Sequence, residues 1–544
     1  MKDVLIIGSG ISGMACAVRC AMRGVRATLA SPFPSERSQS VMAAGGINAV
    51  TAEAEEGDSV ACHIGDTLKG GSYLAGEKAV AGLCGSAGEI LRYLESIGTV
   101  FSVDGQGRPA RRAFGGQSHK RTYYCGASTG KQIVSALVME VRRFEAAGMI
   151  RRRLGRCFHS ALIRDGVCHG ALLFDEGTGT LEAVCADALV MATGGQNALF
   201  GKTTGSTQCD GYAAGRLFMQ GAELKNLEFI QYHPTTLETP HKRMLISEAA
   251  RGEGGRLFYE DGGRRVWFME DKYGPGGNLM TRDVVSREIH AAGRPVYLDV
   301  SFLGAKTIDE RLPEVRDLCA KYRGIDIRTT PIPVEPSVHF FMGGLAVRLN
   351  HETNIRNLFA VGECASMYHG ANRLGGNSLL AAIHSANMAA EAVAGREGGG
   401  AHPDFTSYLE EERAKLERTQ DTDSPFPVMY MRDLLAETMR KRLGIVRSGE
   451  DLAEGIRDVE YYLSVAERIR YDSSVLPYFN YSLTGILTLA RAVLECAAAR
   501  RESRGAHYRS DFPAADDAWR CATLIDYDGG AYRVRADKEG AYES

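Results

Sequence analysis

Apolar positions along this chain follow two rhythms. Val4-Leu5-Ile6-Ile7 is a short unbroken run that leads through Gly8-Ser9-Gly10-Ile11-Ser12-Gly13 into a helical pattern from Met14 to Arg23. Such a run, bounded by glycines, reads as a buried parallel strand feeding a helix. Ala27 to Ser31 is a second strand, followed by a long Gly/Ala-rich loop. Thr67 to Ile97 repeats Leu, Ile and Val at helical spacing and predicts one helix, and Ser128 to Ala147 predicts another. The pattern then turns strand-like to about Glu182, with Asp165-Gly166 and Gly177 placed for hairpin turns. Ala186–Gly195 and Asn357–Gly362 are further apolar strands, Arg373–Ala394 is a helix, and Asp404–Ala499 predicts almost continuous helix. Between Met219 and Ser337 the chain breaks into short, polar, Gly-rich segments with many His and Arg, which predicts an inserted domain. The residues after about 505 are polar and predict irregular structure.

The chain has 544 residues, enough for several domains. Its net charge of -3 gives no reason to expect nucleic acid as a partner. No apolar run approaches the ~20 residues that span a bilayer. The amino terminus enters its first strand at once, which predicts no signal peptide and a cytoplasmic location. The thirteen cysteines are scattered, with no C-x-x-C or ferredoxin spacing. They read as reduced, mostly buried thiols, Cys16 and Cys20 among them, and no metal or iron–sulfur cluster is expected on this chain.

Gly8, Gly10 and Gly13 form a G-x-G-x-x-G turn, whose backbone N–H groups and helix N-terminus suit a pyrophosphate. Gly45-Gly46, a little beyond the second strand, narrows the dinucleotide to FAD. The second strand ends at Ser31 rather than at an Asp or Glu, so a hydroxyl must serve the ribose. A flavin makes the chain a redox enzyme.

The segment Ser31–Ile47, Leu358–Glu363, Asn372–Leu380 and Arg501–Arg509 together resemble the flavoprotein subunits of succinate dehydrogenases and fumarate reductases, with the L-aspartate oxidases as near relatives. The resemblance implies an α/β architecture: a Rossmann-like FAD-binding domain in two parts (1–218 and 338–398), an inserted α+β capping domain (219–337), a helical domain (399–510) and a tail (511–544). It assigns the cofactor to Gly8, Ser9, Gly10, Ser12, Gly13, Ser31, Ser38, Gln39, Ser40, Ala44, Gly45, Gly46, Asp210, Glu363, Asn377, Ser378 and Leu379. In the membrane-complex enzymes a histidine bonds the flavin covalently. Gln39 stands at that place, so FAD is expected to be non-covalent and the reductive direction favoured.

Reducing an activated alkene requires cations on its carboxylates, a hydride donor at one carbon and an acid at the other. By resemblance, His233 and Ser247 take one carboxylate, and His339 and Arg373 take the other. Arg282 is the proton donor, fed by Glu248 and Arg251. Phe114 stands where L-aspartate oxidases carry a Glu for the substrate ammonium, and burying an ammonium against a phenyl ring costs several kcal/mol. The following His119-Lys120-Arg121 is somewhat oxidase-like. The expected function is therefore the catalytic subunit of a fumarate reductase or succinate dehydrogenase. An iron–sulfur protein is its expected electron partner, able to hold it at the inner face of the membrane. L-Aspartate oxidase, or a reductase of another unsaturated carboxylate, is the alternative.

Overall fold

The computed structural model describes residues 2–543 except 127, 241, 420–426, 467 and 470. Part of the expected 404–499 helical stretch thus lies outside the described residues. Asp3–Ile7 is the middle strand of a five-stranded parallel sheet in the order Leu358–Ala360, Ala188–Met191, Asp3–Ile7, Arg26–Ser31, Ile150–Leu154. Val4 to Ile7 and Ala188 to Met191 are buried, as strands sandwiched between helices must be. Ile11–Met22 packs between Thr129–Ala146 and Asn377–Ala394. The expected strand-rich stretch is an antiparallel sheet of Arg156–Arg164, Val167–Asp175 and Thr180–Cys185.

The inserted region builds its own six-stranded antiparallel sheet and its own core, which includes Leu237, Leu257, Val285 and Leu298. Its strand Ile332–Phe341 continues past the expected boundary at 337/338 and carries His339 back toward the parallel sheet. The helices Thr406–Thr419, Val428–Arg442, Gly449–Ala466, Pro477–Tyr481 and Leu483–Ala499 follow.

Three local expectations are corrected. Thr67–Ile97 is not one helix but part of two, Val60–Gly70 and Glu77–Ser96. Between them Ser72 and Tyr73 adopt φ of 54° and 55°. The chain turns there because the Gly71 carbonyl accepts from Ala371 N at 2.9 Å, and a Cβ on Gly71 would lie 2.9 Å from the His369 carbonyl. Leu74 and Ala75 stay buried through the turn, which is why hydrophobic periodicity does not register the break. The helix expected from Arg373 begins at Asn377, after Gly376 in the left-handed region. The tail is not irregular: Ala522–Asp528 and Ala531–Asp537 form a hairpin that extends a sheet containing Leu224–Lys225 and Gly344–Ala346. Only one of its strands is buried, so its composition reads as polar.

Candidate active site

The turn after Asp3–Ile7 requires glycine. Gly8 has φ of 110°, and a Cβ there would sit 2.2 Å from the Ala192 carbonyl oxygen. Gly10 then opens the helix Ile11–Met22, whose Ile11 N–H donates to Ser40 Oγ at 3.1 Å. Gly8, Ser9, Gly10 and Ser12 line one long cleft with Ser31, Ser38, Gln39, Ser40, Ala44, Gly45 and Gly46. Asp210, Glu363, Ser378 and Leu379 line the same cleft. Two expected cofactor residues stand off it. Gly13 packs behind the turn, where a Cβ would lie 1.9 Å from the Gly8 carbonyl oxygen. Asn377 is buried and bonded to Asn48 Nδ2 at 2.7 Å, His63 Nε2 at 3.0 Å and Thr67 Oγ1 at 3.0 Å. Both hold elements that form the cleft.

The donor set fits FAD. Small residues leave the N-terminus of the first helix open to a pyrophosphate. Gln39 Oε1 is buried and without a partner, and an acceptor in that state calls for a group not supplied by the chain. Leu476, Tyr478 and Phe479 from the helical region also line the cleft. Tyr478 donates to Asp210 Oδ1 at 2.9 Å. No sequence signal marks that wall, because the contact joins segments far apart in the chain.

In the same cleft, side chains from the inserted region meet the loop before the Asn377–Ala394 helix. His233, Ser247, Glu248, Arg282, His339 and Arg373 line the cleft here. His233 and His339 stand edge to face with ring centroids 5.2 Å apart, and Thr204 Oγ1 lies 2.8 Å from His339 Nδ1. Arg282 donates to Glu248 Oε2 from Nε at 2.9 Å and from a terminal nitrogen at 2.6 Å. Arg251 sits behind Glu248, off the cleft, with its terminal nitrogen 3.2 Å from Glu248 Oε1. Glu248 and Arg251 are thus on one side of a single helical turn, as their spacing predicts.

Charge in this pocket is unbalanced. Burial pushes the Glu248 carboxyl up, but Arg282 and Arg251 outweigh it and hold the group down at about 2, so it stays ionised. Burial, with a smaller effect from Arg282, drives both His233 and His339 well below the ordinary histidine range, which favours their neutral forms. Burial and then Arg282 depress Arg373. Burial raises Glu363 to about 7. Arg251, Arg282 and Arg373 therefore face one firmly ionised carboxylate, and a bound dianion would answer the excess.

Two further polar residues here lie outside the sequence expectations. Gln231 is fully buried between Arg282 and Arg373, and His369 lines the cleft with an unpartnered Nδ1. The place of Gln231 two residues before His233 in one strand is the signal that could have revealed it.

The comparisons agree with this geometry. Residues 3–379 match the FAD binding domain family, and 432–540 match the fumarate reductase flavoprotein C-term family. A succinate dehydrogenase flavoprotein subunit of Bacillus subtilis is 35% identical over 96% of this chain and 93% of its own length. An L-aspartate oxidase of Nostoc sp. is 32% identical over 96% and 93%. The structure of E. coli quinol fumarate reductase superposes with a TM-score of 0.90 at 30% identity, over 98% of this chain and 96% of that one. The chain belongs to the succinate dehydrogenase/fumarate reductase flavoprotein family, FAD-dependent oxidoreductases acting on CH–CH groups.

Proposed function

We propose that the chain reduces fumarate to succinate with non-covalently held FAD. The observation that carries this reading is the meeting of Arg282, already paired to Glu248, with Arg373, His233 and His339 in one cleft. Bound FAD supplies the hydride. His339 and Arg373 grip one carboxylate and His233 with Ser247 the other, which fixes the alkene carbons and excludes water. Arg282 delivers a proton from its guanidinium to the second carbon as negative charge develops on the substrate. Glu248 hands Arg282 a proton in return and takes one from Arg251, so that the proton consumed in each turnover is drawn from solvent through this relay, in which the two Glu248 oxygens face the two guanidiniums. Free guanidinium is a poor acid. Here the anionic substrate and the ionised Glu248 make the transfer a local exchange inside a buried pocket.

Phe114 supports fumarate over aspartate. It is buried, lines the cleft and packs against Gly45 and Gly375, and the nearby Glu248 carboxylate is already paired with Arg282 and Arg251, so position 114 offers no carboxylate to an ammonium. Electrons are proposed to come from an iron–sulfur protein, since nothing in the cysteine pattern holds a cluster. Among the described residues no helix is long and apolar enough to cross a membrane, so any membrane attachment through helices is assigned to partner subunits. The test is an anaerobic assay with reduced viologen. Wild type should oxidise the dye on addition of fumarate and form no peroxide from L-aspartate in air. Arg282→Ala should lose at least ~100-fold in kcat while keeping its flavin. Near-normal turnover by that variant would refute the assigned proton donor.

A further inference from the structure

Two guanidiniums in one buried pocket repel each other, and something must hold them at the separation the substrate needs. We infer that Gln231 is the positioning residue that sets this separation, through one carbonyl oxygen shared by both. Its Oε1 accepts from an Arg282 terminal nitrogen at 3.1 Å and from an Arg373 terminal nitrogen at 3.0 Å. The two arginines come from different parts of the fold, Arg282 from the inserted region and Arg373 from the loop before the Asn377–Ala394 helix.

The amide cannot turn over to present its nitrogen instead. Its Nε2 donates to Asn372 Oδ1 and to the Arg373 carbonyl oxygen, each at 2.8 Å. Asn372 is oriented in turn, since its Nδ2 donates to Asp283 Oδ1 at 2.9 Å. Asp283 follows Arg282 in the same helix, so this chain of bonds closes on itself. Gln231, Asn372, Arg282 and Arg373 are all buried, which strengthens these bonds. Gln231 itself does not line the cleft. It acts through the guanidiniums, one of which clamps a carboxylate and the other of which gives the proton.

A neutral acceptor is the right chemistry for this position. A carboxylate would hold the arginines at least as firmly, but it would cancel the positive charge that draws in a dianion. An apolar side chain would leave the repulsion unrelieved.

This inference rests on the dicarboxylate reading, and the experiment separates the two. Flavin-loaded wild type, Gln231→Glu and Gln231→Met are compared by KM for fumarate and by Kd for malonate, read from the flavin absorbance, across a pH series. At neutral pH Gln231→Glu should raise both constants about tenfold or more. Flanked by Arg282 and Arg373, the introduced carboxyl stays ionised as Glu248 does, so this defect should persist across the pH series. Gln231→Met should weaken malonate binding about tenfold at every pH, with flavin content unchanged. It decides the matter if the Glu variant does not retain flavin. Constants within twofold of wild type in either flavin-loaded variant would overturn the role. A wild type that binds malonate but does not turn over fumarate would count against the proposed substrate alone, and the malonate series would still be read.

Discussion

Gln39 shows how much can turn on one side chain. It begins the turn Gln39–Met42, lines the cofactor cleft, and points a buried Oε1 at no protein group. A carboxamide nitrogen is a weak nucleophile, which is the chemical ground for proposing that the flavin is held without a covalent bond. Precipitation with trichloroacetic acid should leave all flavin in the supernatant, read by absorbance near the flavin maximum, and yellow colour in the pellet would reject non-covalent binding. Glu248 was legible for a different reason. Its spacing to Arg251 is local, and the one-turn helix Ala249–Gly252 preserves it. The role of Gln231 was not legible, because its meaning depends on Asn372 and Arg373, which the chain reaches only 141 and 142 residues later.

At the scale of elements, strands and helices with a buried face were readable, and those defined by contacts elsewhere were not. The parallel strands announce themselves as apolar runs between glycines. The break between Val60–Gly70 and Glu77–Ser96 answers to the backbone of residues 369–371, which no window around Gly71 contains. The tail hairpin finds its partner in Leu224–Lys225. Gly13 tests the first of these points. It sits inside the helix Ile11–Met22, so alanine has no conformational objection there, yet its Cβ would meet the Gly8 carbonyl oxygen at 1.9 Å and Ala192 Cβ at 3.3 Å. Gly13→Ala must push the helix off the strand turn. Overpacking of this kind costs about 1–3 kcal/mol. The helix N-terminus that faces the pyrophosphate would move with it, so FAD affinity should fall by about tenfold or more. Flavin-to-protein ratio after gel filtration checks this, and full occupancy would show that Gly13 is not needed for close packing.

Across the whole molecule, the cleft is walled by parts that are distant in sequence: the glycine turns of the parallel sheet, the inserted region through His233 and Arg282, and the helical region through Leu476, Tyr478 and Phe479. Buried ion pairs join some of the same parts. Arg500, just after the helix Leu483–Ala499, reaches Glu228 at 2.6 Å and Glu502 at 2.9 Å, with all three side chains fully buried. A ligand that touches every wall stabilises the arrangement in which the walls meet, and it does so by mass action. FAD at about a hundred times its Kd adds roughly 2.7 kcal/mol. Stripping FAD should therefore lower the thermal midpoint of the helical region as well as that of the parallel sheet. Adding FAD back should raise both together as its concentration rises. Scanning calorimetry over an FAD series decides the point, with limited proteolysis of the helical region alongside. The expected record is one transition that moves with FAD. Two transitions, the one belonging to residues 428–499 indifferent to FAD, would mean that Tyr478 and Phe479 merely border the cleft. The cofactor would then be held by the sheet and the inserted region alone.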